Sequence, residues 1–150
     1  MAILDIVTIE NDDKGVLRKI AERVEPKEIS EFQQLIDDML ETTLHFGAIG
    51  LSAPQVGVSK QIFVLEEGTV CINPGSKMGS GKITSHAEGC LSIKEKQFDV
   101  KRIRNVIIRC LGRNGQPQKL APRKKLYSIA IQHEIDHLNG VLICDKGKVR

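Results

Sequence analysis

The chain has 150 residues, 41% of them apolar and 27% charged, which is enough for one sizeable hydrophobic core and cramped for two independent domains. A net charge of +3 is too mild for a nucleic-acid binder, and an aromatic content of 3% without Trp argues against stacking on bases. No stretch approaches the roughly 18–20 apolar residues of a membrane span, no leader pattern opens the chain, and four cysteines without a C-x-x-C pair fit the reducing cytoplasm better than a disulfide framework.

In chain order, Val16, Leu17, Ile20 and Val24 predict a short helix over 14–24, broken by Pro26. A second helix runs from about Glu28 to Leu44. There Phe32, Leu35, Ile36, Met39 and Leu40 recur at helical spacing, and Gly47 supplies the stop. Strands follow at Gln61–Leu65 and Val70–Ile72, then a turn at Asn73-Pro74-Gly75. Lys77–Lys82, with two glycines, reads as another turn. Val106–Leu111 is a strand, Arg113-Asn114-Gly115 a hairpin turn, and Gln118–Leu120 the return. Cys71, Cys110 and Cys144 lie in apolar runs and read as small core residues.

The last helix is predicted from Pro122 to Asn139, with Gly140 closing it. Leu126, Ile129, Ala130, Ile131, Ile135 and Leu138 make it apolar around nearly its whole circumference, which points to a central, buried helix. It nevertheless carries His133, Glu134, Asp136 and His137, and burying so many ionisable groups is costly unless they are paired or bind a metal.

His133-Glu134-Ile135-Asp136-His137 is an H-E-x-x-H motif. Residues four apart share a helix face, so two imidazoles converge on one ion and the glutamate reaches water beside it. A pair of hydrogen-bonded core histidines is the alternative. Two His ligands call for a third, and the segment after His137 holds neither Glu nor His, so the third belongs upstream. Glu88-Gly89-Cys90-Leu91-Ser92 offers a thiolate, although Cys90 taken by itself reads first as a structural thiol. Ala48 to Gly57 is a small-residue loop with one amide, Gln55. It is not a phosphate loop, and Gln55 alone reads as a surface residue.

Together and in this order, Ala48–Gln55, Glu88–Ser92 and His133–His137 resemble the three motifs of the peptide deformylases, and the resemblance extends over residues 3–145. Ala48 and Ser52 depart from the family pattern, as do Lys94 and His86, the latter near the substrate pocket. The short end is similar to the compact, phage-type members without a C-terminal helix.

The resemblance implies an α+β fold, antiparallel sheets around a central helix bearing both histidines, with residues 1–150 as a single catalytic domain. It implies removal of the N-formyl group from the N-terminal Met of nascent polypeptides. Cys90, His133 and His137 would hold one divalent metal ion, Fe2+ in the cell, with Zn2+, Ni2+ or Co2+ as alternatives after purification. Glu134 would act as general acid and base toward metal-activated water, while Gln55 and the Leu91 backbone N–H stabilise the oxyanion. Ile49, Gly50, Leu126, Ile129 and Ala130 would bind substrate. Arg102 would pair with a carboxylate near the site, and Asp136 would anchor its helix rather than bind metal. The expected setting is the bacterial cytosol, with transient ribosome association and no membrane or specific DNA partner. The rivals are a metallopeptidase using the same helix and a binding protein with a closed, purely structural metal site.

Overall fold

The computed structural model describes residues 2–150. Its elements are α1 (Gln33–His45), β1 (Gly50–Ser52), β2 (Ile62–Leu65), β3 (Val70–Ile72), β4 (Met78–Cys90), β5 (Ile93–Leu111), β6 (Pro117–Leu120), α2 (Lys125–Leu138), α3 (Ile143–Lys146) and β7 (Lys148–Val149). The strands are antiparallel in the order β1-β2-β3-β5-β4, with β6 and β7 also paired to β5. The fold is therefore α+β, and β5 is its spine. At 19 residues it pairs with β4 along most of its length and reaches β3 only at its end, through Ile72 and Leu111.

Period-two alternation explains how the core divides. All four residues of β2 are buried. Phe63 and Leu65 face the cluster that holds Ala130, Ile131 and Leu138 of α2. Ile62 and Val64 face the opposite cluster with Ile36 and Met39 of α1. The sheet is thus covered by α1 on one side and α2 on the other. A third cluster joins Val16 and Leu17 to Ile93, Phe98 and Val100 of β5 and to Leu142 and Ile143.

Several sequence expectations need correction. The helix predicted over 14–24 is only a 3-10 turn at Val16–Arg18. Beyond it the backbone bonds elsewhere: Ala21 N donates to Leu138 O, Glu22 N to Ser59 O, and Glu22 O accepts from Gln61 N. Ile20, assigned to an apolar helix face, is 74% exposed. The second helix begins as a 3-10 segment, Pro26–Phe32, and becomes α-helical at Gln33. Lys77–Lys82 is no turn: most of it belongs to β4, pairing Met78 with Ile107 and Gly79 with Val106, and the local signal corresponds to a bulge between Ser80 and Ile83. The strand expected at Val106–Leu111 is the last third of β5. Cys71 and Cys110 are core residues, whereas Cys144 is only partly buried.

Candidate metal centre

Helix α2 carries the site because its packing against β5, β1 and β2 fixes its rotation. Gln132 locks it in place. Its side-chain amide donates to Ile103 O at 2.8 Å and accepts from Ile103 N at 3.1 Å, so it pairs with β5 as a neighbouring strand would. Burial is less uniform than the sequence suggests. Leu126 is 49% exposed, while Ala130, Ile131, Glu134, His137 and Leu138 are buried. The exposed end of the helix forms a cavity wall rather than core.

The ligand atoms of Cys90, His133 and His137 lie within 4.8 Å of one another. Cys90 Sγ is 3.3 Å from His137 Nε2, which is 3.2 Å from His133 Nε2. Cys90 arrives at the end of β4, where the pairing shifts so that Cys90 faces Ile93 after Glu88 has faced Phe98. Burial pushes the His137 pKa well down and so keeps its imidazole in the neutral form that binds metals. One thiolate sulfur and two imidazole nitrogens suit a divalent transition ion, and among the described residues no other such group converges. The donor set therefore fits a metal.

Glu88 organises this set from behind. Its Oε1 accepts from His133 Nδ1 and from Arg102 Nη2, both at 2.9 Å, and its Oε2 accepts from Arg102 Nε at 2.9 Å. With Nδ1 committed to the carboxylate, Nε2 of His133 is left to face Cys90 and His137. Burial raises the Glu88 pKa, but the bonds from Arg102 and His133 outweigh it and hold the group at about 2. Arg102 also donates to Asp136 Oδ2 at 2.5 Å, which ties β5 to α2. The expected pairing of Arg102 with a nearby carboxylate is present, and Asp136 lies outside the ligand cluster. Sequence reasoning missed the hold of Glu88 on His133. The pattern Glu-x-Cys was legible, but only folding shows which imidazole the carboxylate meets.

Glu134 is 3% exposed and its Oε1 has no hydrogen-bond partner. Burial pushes its pKa up to about 7 against the attraction of His133 and Arg102. Its other oxygen lies against Gly50, where a Cβ would come within 2.9 Å of it. Gln55 sits in the 3-10 turn Ala53–Val56 and is 2% exposed, not a surface residue. Its Oε1 accepts from Ser52 N at 3.0 Å and Ser52 Oγ at 3.1 Å. Its Nε2 points to Ser92 Oγ at 3.3 Å and Cys90 Sγ at 3.5 Å. The departure at Ser52 thus adds a bond that fixes the amide with its donor toward the metal cluster.

A cavity of 1460 Å³ opens at these groups. Ile49, Gly50, Gln55, Cys90, Leu91, Leu126, Ile129, Ala130, His133 and Glu134 all line it, with His86 in its wall as well, whereas the buried His137 is not part of the lining. A cavity of this kind, with a soft and nitrogenous donor trio and a buried carboxylate of raised pKa beside it, belongs to a metal-dependent hydrolase.

Comparison with known proteins narrows the class. The polypeptide deformylase family model matches residues 3–149. Peptide deformylase 1 of Nostoc sp. is 43% identical, aligning 87% of this chain with 73% of its own. The peptide deformylase of Thermodesulfovibrio yellowstonii is 41% identical, over 97% of this chain and 90% of its own. A crystal structure of a peptide deformylase from Synechococcus elongatus in complex with actinonin superposes with a TM-score of 0.88 at 40% identity, covering 97% of this chain and 79% of that one. The chain belongs to the polypeptide deformylase family, metal-dependent hydrolases that deformylate nascent peptides.

Proposed function

We propose that Cys90, His133 and His137 hold one divalent metal ion at which the formamide of an N-formyl-methionyl chain is hydrolysed. The observation that carries this is the convergence of the three donor atoms beside the unpartnered carboxylate of Glu134. The bound ion supplies Lewis acidity, which lowers the pKa of water toward neutrality. Fe2+ is the proposed cellular ion, with Zn2+, Ni2+ and Co2+ able to replace it.

Glu134 takes a proton from water and passes it to the departing amine, its unpartnered carboxylate beside the donor cluster being placed for both transfers. Gln55 donates from Nε2 to the oxygen that gains charge, and the Leu91 backbone N–H supports it. Ile49, Gly50, Leu126, Ile129 and Ala130 receive the methionine end of the substrate. Glu88 and Arg102 do not meet the substrate: they orient His133. Residues 1–150 work as one catalytic domain in the bacterial cytosol, meeting nascent chains through transient contact with ribosomes. Among the described residues no helix is long and apolar enough to cross a membrane.

The test is release of formate from formyl-Met-Ala-Ser by protein purified without oxygen and assayed for metal. Turnover of that peptide, with no cleavage of the same peptide acetylated in place of formylated, is the expected outcome. Cleavage of internal amides instead would replace this reading with a metallopeptidase. Cys90→Ser should lower metal content; unchanged content would remove Cys90 from the ligand set.

A further inference from the structure

Cys71 and Cys110 take no part in the metal centre, yet they are not two separate core thiols. Ile72 of β3 pairs with Leu111 of β5, and the two cysteines are the residues just before that pair on each strand. Both belong to the cluster that packs Phe63 and Ile108 against Ala130 and Ile131 of α2. There the Cys71 thiol donates a hydrogen bond to Cys110 Sγ.

The two thiols differ in what surrounds them. Cys71 is fully buried, and burial pushes its pKa well up, so it stays a protonated donor. Cys110 is 7% exposed and collects donors. Besides the bond from Cys71, it accepts from Gln118 Nε2 at 3.4 Å and from the Ile72 backbone N–H. The Gln118 amide is itself held by a second bond, from Nε2 to Val70 O at 2.7 Å. Led by the bond from Cys71, these donors outweigh burial and bring the Cys110 thiol from the ordinary 9.0 down to about 7. A sizeable thiolate fraction thus exists at neutral pH, touching a second thiol. The other two cysteines lie elsewhere: Cys90 is a member of the metal cluster, and Cys144 packs against the separate cluster of Leu142 and Ile143.

We propose that Cys110 and Cys71 form a peroxide-responsive modification site, with Cys110 as the thiolate that is oxidised and Cys71 as the thiol that resolves it into a disulfide. The Cys110 sulfur attacks one oxygen of hydrogen peroxide. The S–O bond forms, the O–O bond breaks, and the departing hydroxide takes a proton to become water. The Cys71 sulfur then attacks the Cys110 sulfur. The S–S bond forms, the S–O bond breaks, and the hydroxyl leaves with the Cys71 proton as a second water. The two sulfurs together lose two electrons and peroxide gains them. A thiol reductant of the glutathione class returns both, so in a reducing compartment the bond is transient. It clasps β3 to β5 in the cluster under α2, and it is independent of the deformylase reading.

The experiment uses the full-length protein loaded with zinc, which has no redox chemistry of its own. It is treated with hydrogen peroxide at pH 7, alkylated in denaturant and digested with trypsin. The expected product joins the peptide 61–77, which holds Cys71, to the peptide 110–113, which holds Cys110, and it separates on reduction. In Cys71→Ala, Cys110 stops at the sulfenic acid and is trapped by dimedone. In Cys110→Ala, oxidation of Cys71 slows by at least about tenfold. Three results overturn the site: Cys110 still alkylated as a free thiol once Cys144 is oxidised, a disulfide to Cys90 or Cys144 in place of this pair, or joining only in urea-unfolded protein. Oxidation of Cys71 that is as fast without Cys110 overturns it as well. The unaltered protein decides the matter even where an alanine variant fails to fold, because the joined peptide needs no substitution.

Discussion

Glu134 shows what one buried residue does to both stability and chemistry. Its folded pKa of about 7 lies above the ordinary 4.5, so ionising it opposes folding. The cost is absent below pH 4.5 and complete above about 7. Metal-free Glu134→Gln should therefore gain stability relative to the unaltered protein as pH rises through that window, as read by urea denaturation at pH 4.5 and 8. The same substitution should retain metal and lose about 10²–10⁴-fold in kcat. Full activity in the variant would end the proposed proton-transfer role. A bound cation draws the Glu134 pKa down, so the acid limb of kcat/KM should fall at or below 7.

Glu88 has the opposite sign. Its folded pKa of about 2 lies below 4.5, so its contribution is present above pH 4.5 and is lost as pH falls toward 2. Glu88→Gln should cost about 1.5–3 kcal/mol at pH 7, because it takes the charge from the bonds to Arg102 and His133 while Asp136 still pairs with Arg102. That deficit should shrink on acidification. Gln55→Ala should lower kcat by about 10²–10³-fold if its amide faces the developing charge. Ser52→Ala should cost less, since Ser52 N still bonds Gln55 Oε1 after the hydroxyl is gone.

At the scale of elements, the site depends on how closely α2 meets its neighbours. Gly50 of β1 stands where a Cβ would come 2.9 Å from Glu134 Oε2 and 3.1 Å from Val64 O. The carboxylate end can move but the carbonyl cannot, so Gly50→Ala should displace Glu134. Activity should fall by more than tenfold in a protein that still melts cooperatively, by circular dichroism alongside the assay. Gly140 ends α2 at φ 72°, and a Cβ there would lie 2.5 Å from Arg18 O. Gly140→Ala combines a left-handed backbone with a backbone clash and should destabilise by about 1–3 kcal/mol. These two substitutions separate damage to the chemistry from damage to the frame. The position of α2 was legible in the sequence because apolar periodicity and a closing glycine are local signals. The helix expected at 14–24 was not, because tertiary hydrogen bonds to Ser59, Gln61 and Leu138 outweigh an isolated turn.

At the scale of the molecule, folding and metal binding are one equilibrium. The three donor groups come from the end of β4 and from two turns of α2, and they meet only in the folded chain. An ion at a hundred times its dissociation constant should therefore add about 2.7 kcal/mol of stability. A chelator should lower the melting temperature, and Cys90→Ser should shrink the gap between loaded and stripped protein.

Spacing along the chain marked His133 and His137 as candidate ligands four residues apart, and three ordered motifs carried the family and with it the expectation of Cys90 as the third donor. Both are properties of local order along the chain. Only the tertiary structure decided what those residues face: that Glu88 takes Nδ1 of His133, that Ser52 turns the amide of Gln55, and that the N-terminal strap walls the cavity through Ile3, Leu4 and Ile6. Glu88 and His133 lie tens of positions apart, as do Val7 and Ile9 of the N-terminal strap and the Gln55 and Ser92 carbonyls they bond, so long-range packing sets which donors and acceptors pair there; Ser52 and Gln55 are three apart, and the 3-10 turn between them sets that bond.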